Sequence, residues 1–202
     1  MHYEIEGITK LYIADGINPI KLLLIEKDGE GYFKTIEPNE VESYPKVIFK
    51  VPEFLGLIPG KLKSGSVQYS YRLYRKYSIS TDMSPTTKLI PIVNNRTNRG
   101  YGPNKITNAG VSLLITLDEE QLDIYDKIQV YRIMYVENGQ LPTVELIYDE
   151  IISDNIDEEY IYVNDIGQDA LATMTLEEFN SLSGIHIIPK VIESKNDYLF
   201  AA

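Results

Sequence analysis

The sequence predicts an all-β protein, in which a β-sandwich is accompanied by a partial, propeller-like sheet and one short helix. Apolar and polar residues alternate along short segments, which is typical of strands with one buried face. Gly, Pro, Asn and Asp turn signals separate these segments at short intervals. Sixteen tyrosines with five phenylalanines and no tryptophan add residues that favour strands and molecular contacts.

The composition limits the possible functions. Hydrophobic residues make up 44% and charged residues 24% of the 202-residue chain, as in an ordinary globular protein. The net charge of −11 argues against binding to phosphate backbones, although an acidic wall can guide DNA without holding it. The absence of cysteine excludes disulfides, thiolate zinc sites and thiol nucleophiles. No apolar run approaches a membrane helix, and no signal-peptide pattern precedes the first strand.

Residues 1–60 predict hairpins and a connector that belong to a sheet completed elsewhere. Thr9–Ile25 predicts a hairpin, because Asp-Gly and Asn-Pro signals mark a loop of about four to five residues. A second turn at Asp28 and Gly29 precedes a predicted strand over 31–36. Four prolines punctuate residues 38–60, which we interpret as a connector with an edge strand at Val47–Val51.

Residues 61–165 predict the sandwich, organised around a long hairpin over Ser66–Val93. Its first strand places four alternating side chains on one buried face and Tyr74 on the other. Pro85 offers no N–H to a ladder, which suits a turn or an edge before the second apolar run at Leu89–Val93. The four residues predicted to be buried are Val67, Tyr69, Tyr71 and Leu73.

The segment Asn94–Gly110 is a polar loop, long for a connection within a compact domain. Arg96, Arg99 and Lys105 give it a local basic character in an acidic chain. Such loops are solvated or functional, so the alternatives are a solvent-exposed loop and a contact between subunits. The residues predicted for a possible interface are Tyr74, Tyr77, Arg96, Arg99, Tyr101 and Lys105.

Four later strands complete the predicted sandwich. Lys127–Tyr135 is apolar on both faces, so we expect a central strand in which Arg132 pairs with a carboxylate or stacks on a tyrosine. Six or seven strands over this range are typical of an immunoglobulin- or fibronectin type III-like sandwich. The other strands are Val111–Leu117, Thr143–Tyr148 after an Asn138-Gly139 turn, and Tyr160–Val163 closed by Asn164-Asp165; Asp118–Asp126 is predicted to be turn-like or helical.

Residues 166–202 predict a short helix and return strands. Thr175 and Glu178 have the spacing of a capping box, which predicts a helix to about Leu182. Ile185–Ile192 and Tyr198–Ala202 predict two strands. Because the chain stops within an apolar run, we expect either a longer polypeptide or a terminus paired with a partner.

The sequence contains no recognisable catalytic constellation. The acidic segments around Asp118–Asp126 and Asp154–Glu159 predict solvated turns, with a calcium site as the alternative, although EF-hand spacing is absent. His186 lies in an apolar segment and is interpreted as structural. We therefore expect no enzyme activity, no cofactor and no metal. Tyr69, Tyr71, Tyr74 and Tyr77 predict core or interface packing, with sugar stacking as the alternative.

Several segments resemble one protein family. LYIADGINPIKLLLI is similar to a hairpin near the start of a unit in tail proteins of short-tailed phages, particularly crAss-like phages, although Lys21 stands where that hairpin has Arg. SGSVQYSYRLYRKYSISTDMSPTT resembles the fibronectin-like strand pair that follows it. YDKIQVYRIMY and NDYLFAA resemble the later strands.

The resemblance implies a virion structural protein of nozzle or muzzle type. It implies a ring around the DNA exit channel, built from copies of the chain and other tail proteins, through which DNA passes during ejection. It also implies a location in the virion tail after assembly in the host cytoplasm, without membrane insertion. A carbohydrate-binding or adhesin module that binds host glycan is the alternative, and a calcium-dependent accessory domain of a hydrolase is a third.

Overall fold

The computed structural model describes residues 2–5, 8–17, 20–26, 47–75, 80–93, 105–136, 140–182, 190–195 and 198–201. Strands dominate these residues and the helices are short, so the predicted all-β class is confirmed. The strands are β1 (His2–Ile5), β2 (Ile8–Ile13), β3 (Lys21–Glu26), β4 (Glu53–Pro59), β5 (Gly65–Tyr74), β6 (Ile90–Ile92), β7 (Ala109–Thr116), β8 (Lys127–Tyr135), β9 (Thr143–Ile151), β10 (Ile156–Asp157), β11 (Tyr160–Asp165), β12 (Ala172–Met174), β13 (Ile192–Lys195) and β14 (Tyr198–Ala201). The helices are α1 (Glu119–Ile124), α2 (Ile152–Asn155) and α3 (Leu176–Ser181).

The chain divides into two compact units. The first unit joins residues 1–46, 77–81 and 184–202. It contains an antiparallel sheet of order β1-β2-β3 and an antiparallel pair, β13-β14. The β2–β3 pair confirms the predicted hairpin, but Ile13 pairs with Lys21, so its loop is longer than expected. The turn at Asp28 and the strand predicted over 31–36 lie outside the described residues.

The second unit, residues 47–76 and 82–183, is a β-sandwich. One antiparallel sheet has the order β10-β11-β7-β4, and the other has the order β12-β9-β8-β5-β6. Side chains from both sheets form one hydrophobic cluster between them. The alternating residues of β5 (Val67, Tyr69, Tyr71 and Leu73) and of β7 (Val111, Leu113 and Ile115) are fully buried, as predicted. A specifically fibronectin type III-like topology stays a prediction.

The organising hairpin exists, but its second arm is mostly irregular. β5 and β6 pair antiparallel over three residues, from Gly65–Ile92 to Val67–Ile90. Before β6, the chain still follows β5, because the Ser84 and Thr87 amides donate to the carbonyls of Tyr71 and Tyr69 at 2.7 and 2.9 Å. Proline at Pro85 and Pro91 removes donors that a regular strand needs, which explains the short ladder.

The second unit is larger than the sandwich predicted for residues 61–165. Glu53–Pro59, interpreted as a connector, is strand β4 and pairs with β7, whereas Val47–Val51, predicted as the edge strand of this connector, is not a strand. Pro52 just before the strand, Pro59 at its end and a bulge between Phe54 and Gly56 hide the two-residue alternation that identifies a strand. At the other end, β12 pairs with β9 and extends the five-stranded sheet beyond Asp165.

Helix α3 confirms the predicted capping box. The Glu178 amide donates to Thr175 Oγ1 at 3.1 Å, and the Thr175 amide donates to Glu178 Oε2 at 2.7 Å. Phe179 packs edge-on against Tyr131 with ring centroids 6.1 Å apart. This contact belongs to a second apolar cluster on the outer face of the five-stranded sheet, formed by Met83, Tyr131, Ile133, Val144, Leu146 and Phe179.

The remaining predicted elements are placed as follows. The segment Asp118–Asp126 contains α1, and β8 lies at the centre of its sheet. Of the strand predicted over Ile185–Ile192, residues 185–189 lie outside the described residues, Lys190 and Val191 are not in a strand, and β13 begins only at Ile192 and pairs with β14. The Asn138-Gly139 turn and His186 lie outside the described residues. Across the described ranges, no helix has the length and apolarity needed to cross a membrane.

Candidate functional site

A buried ionic centre joins the two sheets of the sandwich. Arg132 in β8 donates through Nη1 to Asp165 Oδ1 at 2.6 Å and through Nη2 to Glu145 Oε2 at 2.6 Å. Tyr69 Oη in β5 donates to Asp165 Oδ2 at 2.8 Å, and the Gly167 amide donates to Oδ1 at 3.0 Å. Asp165 comes from β11 in the opposite sheet, so its carboxylate connects the two layers.

The charged groups of this centre are buried and paired with one another, as in a structural contact. Burial raises the pKa of the Tyr69 hydroxyl well above its usual value, and the Asp165 carboxylate adds to that rise. Burial alone lowers the pKa of Arg132, but the carboxylates of Asp165 and Glu145 more than offset it, so that its pKa is raised. Asp165 is 0% exposed and its carboxylate oxygens accept three hydrogen bonds, so no substrate reaches it.

A polar network lies on the outer face of the five-stranded sheet, around Tyr74. Its hydroxyl donates to Asp149 Oδ1 at 3.2 Å, and Lys127 Nζ approaches the same oxygen at 3.2 Å. The Lys127 ammonium also lies 5.2 Å from the centre of the Tyr74 ring. A cation over an aromatic ring occupies the face that a sugar would use.

The structure lowers the number of tyrosines available for the predicted sugar-stacking face. Tyr69 and Tyr71 are buried because they take the inward positions of β5, and Tyr71 Oη donates to the Lys50 carbonyl at 3.1 Å. Tyr77 lies outside the described residues. Of the four tyrosines predicted for this face, the described outer surface therefore offers only Tyr74, which is itself half-buried.

An apolar groove of about 410 Å³ runs between the edge strands β4 and β6. Phe54 and Leu89 are exposed there. The bulge in β4 and the prolines Pro52 and Pro91 disturb the free edges, which disfavours addition of a foreign strand. The groove is lined by Val51, Pro52, Phe54, Thr87, Lys88, Leu89, Ile90 and Pro91.

A second pocket, of about 280 Å³, lies between α1 and α2 at one end of the sandwich. Tyr125 lines it, and the Tyr125 hydroxyl is buried without a hydrogen-bond partner in the part of the chain that the structure describes. Burial raises the pKa of Tyr125 above its usual value, and the charge of Glu120 contributes to the same shift. A buried hydroxyl without a partner costs free energy that an acceptor recovers.

The acidic turns around this pocket do not form a metal centre. Across the described ranges, no three His, Cys, Asp or Glu side chains converge as metal ligands. Asp118 instead forms an ion pair with Lys50 at 2.5 Å. The calcium alternative therefore gains no support from these carboxylates.

Comparison with known proteins places the chain in a family. The family model for the crassvirus muzzle protein matches residues 1–202. The chain belongs to the crassvirus muzzle protein family. A muzzle protein of Bacteroides phage crAss001 is 26% identical over 200 residues, which are 98% of this chain and 13% of that protein. The chain thus spans about 13% of the length of this curated relative.

Membership of the muzzle family confirms the resemblance to phage tail proteins of this type and supports a structural protein of the virion. Of the predicted interface residues, the two that the structure describes lie at opposite ends of β5: Tyr74 is its last residue, whereas the Lys105 amide donates to Ser64 Oγ, one residue before its start. Tyr77, Arg96, Arg99 and Tyr101 lie outside the described residues.

Two features of this muzzle-family chain were missed from sequence. Asp165 was interpreted as part of a closing turn, but it is the last residue of β11. The alternation of Ile161, Val163 and Asp165 along buried positions is the signal that identifies Asp165 as an inward residue. The pocket at Tyr125 had no sequence signal, because it depends on the approach of α1 and α2.

Proposed function

We propose that the chain is an assembly segment of a muzzle- or nozzle-type protein, which forms a ring with its own copies and other tail proteins around the DNA exit channel. The observation that carries the proposal is the match of the muzzle family to all 202 residues. Because the chain corresponds to 13% of its curated relative, its role is one part of that assembly. The segment acts by binding neighbouring subunits rather than by catalysis.

The organisation of the sandwich supports this assignment. The two sheets enclose a close-packed apolar core and are also connected by the Arg132–Asp165 ion pair, as expected of a unit that keeps one packed arrangement. Polar side chains of the outer face, such as Tyr74 and Asp149, bond to one another rather than presenting an open reactive group. A packed β-sandwich whose polar side chains bond to one another is suited to form part of the wall of the channel.

The charge of the chain supports a position beside DNA. Its net charge of −11 repels phosphate groups, whereas proteins that retain DNA neutralise phosphates with Lys and Arg. A wall with this charge lets the genome slide past without binding. DNA ejection through the ring is therefore part of the proposed function.

The test is the mass of the purified chain in solution, measured by light scattering after size exclusion over a range of micromolar concentrations. We expect a discrete multiple of the 23.0 kDa monomer. A 23.0 kDa particle at every concentration contradicts assembly by this segment. A Tyr74→Ala variant screened against a glycan array serves as the counter-test, because glycan binding that depends on Tyr74 would favour the adhesin alternative.

A further inference from the structure

The two ends of the sandwich carry opposite charge. At one end, residues 118–126 and 150–159 each contain five Asp or Glu and no Lys or Arg. The fold brings these segments together, because the Ile152 amide donates to the Asp126 carbonyl at 2.8 Å and the Leu117 amide donates to the Glu159 carbonyl at 2.9 Å. We call this surface the acidic end. Its exposed carboxylates are Glu119, Glu120, Asp123, Asp126, Glu150, Asp154, Asp157, Glu158 and Glu159.

An apolar recess opens at the centre of the acidic end. It is the pocket of about 280 Å³ at Tyr125, and cavities of about 150 Å³ already hold a small apolar ligand. Tyr125 is 5% exposed, and its hydroxyl has no partner within the described residues. A backbone carbonyl of a bound partner would supply the Tyr125 hydroxyl with a hydrogen-bond acceptor. The pocket is lined by Leu122, Tyr125, Asp126, Ile151, Ile152, Ser153 and Ile156.

The opposite end of the same sandwich is basic. Lys61, Lys63 and Lys105 are exposed there, on backbone segments that adjoin through the bridge between Lys63 and Ile106. Ile106 is 66% exposed. We call this surface the basic end; it therefore combines a projecting aliphatic side chain with three ammonium groups.

One molecule cannot bring its own ends together. Both ends belong to the unit of residues 47–76 and 82–183. They are separated by the length of β7, whose eight residues span about 25 Å. Pairing of the two charges therefore requires a second molecule.

From this arrangement we infer that copies of the chain associate head to tail, with the basic end of one copy on the acidic end of the next and Ile106 in the pocket beside Tyr125. This inference rests on the proposed function and names the surfaces through which its assembly proceeds. Opposite charge steers the encounter, and the apolar contact at the centre supplies affinity. Because the two surfaces differ, the interface is heterologous, and repetition closes into a ring when the rotation permits.

Other occupants fit the acidic end less well. The carboxylates do not converge on a metal position within the described ranges, which disfavours a divalent cation. Nucleic acid carries the same sign of charge and is repelled. The basic end of a second copy carries three ammonium groups and one exposed aliphatic side chain. The ammonium groups match the carboxylates around the pocket, and the aliphatic side chain matches the pocket itself.

Charge reversal at one end at a time tests the interface. The first variant carries K61E, K63E and K105E; the second carries E119K, D123K and D154K. Each variant alone is expected to associate about tenfold or more weakly than the unaltered chain, because like charges then face each other. An equimolar mixture of the two variants is expected to associate again, through the reversed pair. Sedimentation velocity gives the dissociation constants, and near-ultraviolet circular dichroism checks that each variant is folded.

The apolar contact is tested by Ile106→Ser, with Leu171→Ser as a control at a similarly exposed residue on β12's side of the sandwich. We expect weaker association for the first variant and no change for the second. Lys88→Glu controls for net charge, because Lys88 follows Thr87, whose amide donates to the Tyr69 carbonyl midway along β5. Raising the salt concentration should weaken association of the unaltered chain.

The outcomes separate this inference from the function on which it rests. If the unaltered chain forms a discrete assembly and both charge-reversed variants assemble equally well, the head-to-tail interface is wrong and assembly uses another surface. If the unaltered chain is a monomer even at low salt, self-assembly by this segment and the interface are both overturned. Loss of association in each variant with recovery in the mixture supports the inference.

Discussion

At the scale of single residues, Asp165 connects the two sheets of the sandwich. It places a carboxylate between the two sheets, where Arg132 and Tyr69 bind it from the opposite layer at 2.6 and 2.8 Å. Removing one partner from a buried ion pair leaves the other charge uncompensated, which costs more than the pair contributes when complete. Asp165 is therefore expected to be needed for stability although it takes no part in binding.

Replacing Asp165 with Asn tests this expectation. We expect the free energy of unfolding to fall by about 2–3 kcal/mol, because Arg132 stays buried and keeps only the Glu145 carboxylate as its counter-charge. The measurement is a urea titration followed by fluorescence of the tyrosines. Asp169→Asn, at an exposed position four residues later in the chain, is the matched control and should leave the midpoint unchanged. Equal midpoints for the two variants would contradict a structural role for the ion pair.

At the scale of elements, the close approach of β5 to the end of β8 depends on glycine. A Cβ on Gly65 would lie 2.1 Å from the Tyr135 carbonyl oxygen, and the residue has φ +150°. Gly56 in β4 has a similar φ of +157° but no atom within 4 Å of such a Cβ. The two glycines thus share the backbone requirement and differ in the space available.

This difference gives a matched pair of variants. Gly65→Ala is expected to destabilise the sandwich by about 1–3 kcal/mol more than Gly56→Ala, because only the former forces a backbone carbonyl to move. Thermal unfolding of both variants, compared with the unaltered chain, provides the measurement. A loss of stability that is the same for both would mean that backbone conformation alone, and not the clash with Tyr135, sets the cost.

At the scale of the whole molecule, the two apolar clusters lie entirely within residues 47–183. The larger cluster fills the space between the sheets, and the smaller one packs α3 on the outer face of the five-stranded sheet. Residues 1–46 and 184–202 contribute to the other compact unit. A unit with its own core is expected to fold by itself.

The corresponding experiment is expression of residues 47–183 alone. We expect cooperative urea unfolding with a midpoint close to that of the matching transition in the full chain, because the core and the ion pair are retained. Near-ultraviolet circular dichroism should preserve the signal of the buried tyrosines. A fragment that lacks a cooperative transition would show that the first unit is needed to hold the sandwich.

The sequence by itself determined the all-β class, the β2–β3 hairpin, the buried faces of β5 and β7, the central position of β8 and the cap of α3. These features follow from local rules: side chains alternate along a strand, and a capping box needs residues three apart. The sequence also predicted that Arg132 needs a partner, since a buried cation without one is too costly.

Only the tertiary structure decided which carboxylates Arg132 binds, where the sandwich begins and ends, and what the acidic segments do together. Asp165 lies 33 residues from Arg132, and β4 is recognisable only through its pairing with β7. From sequence, each acidic segment was interpreted separately as a solvated turn. The packing of α1 beside α2 instead places the two segments around one pocket, at the end of the sandwich opposite the basic end. Such features depend on contacts between distant segments, which periodicity and local propensity do not encode.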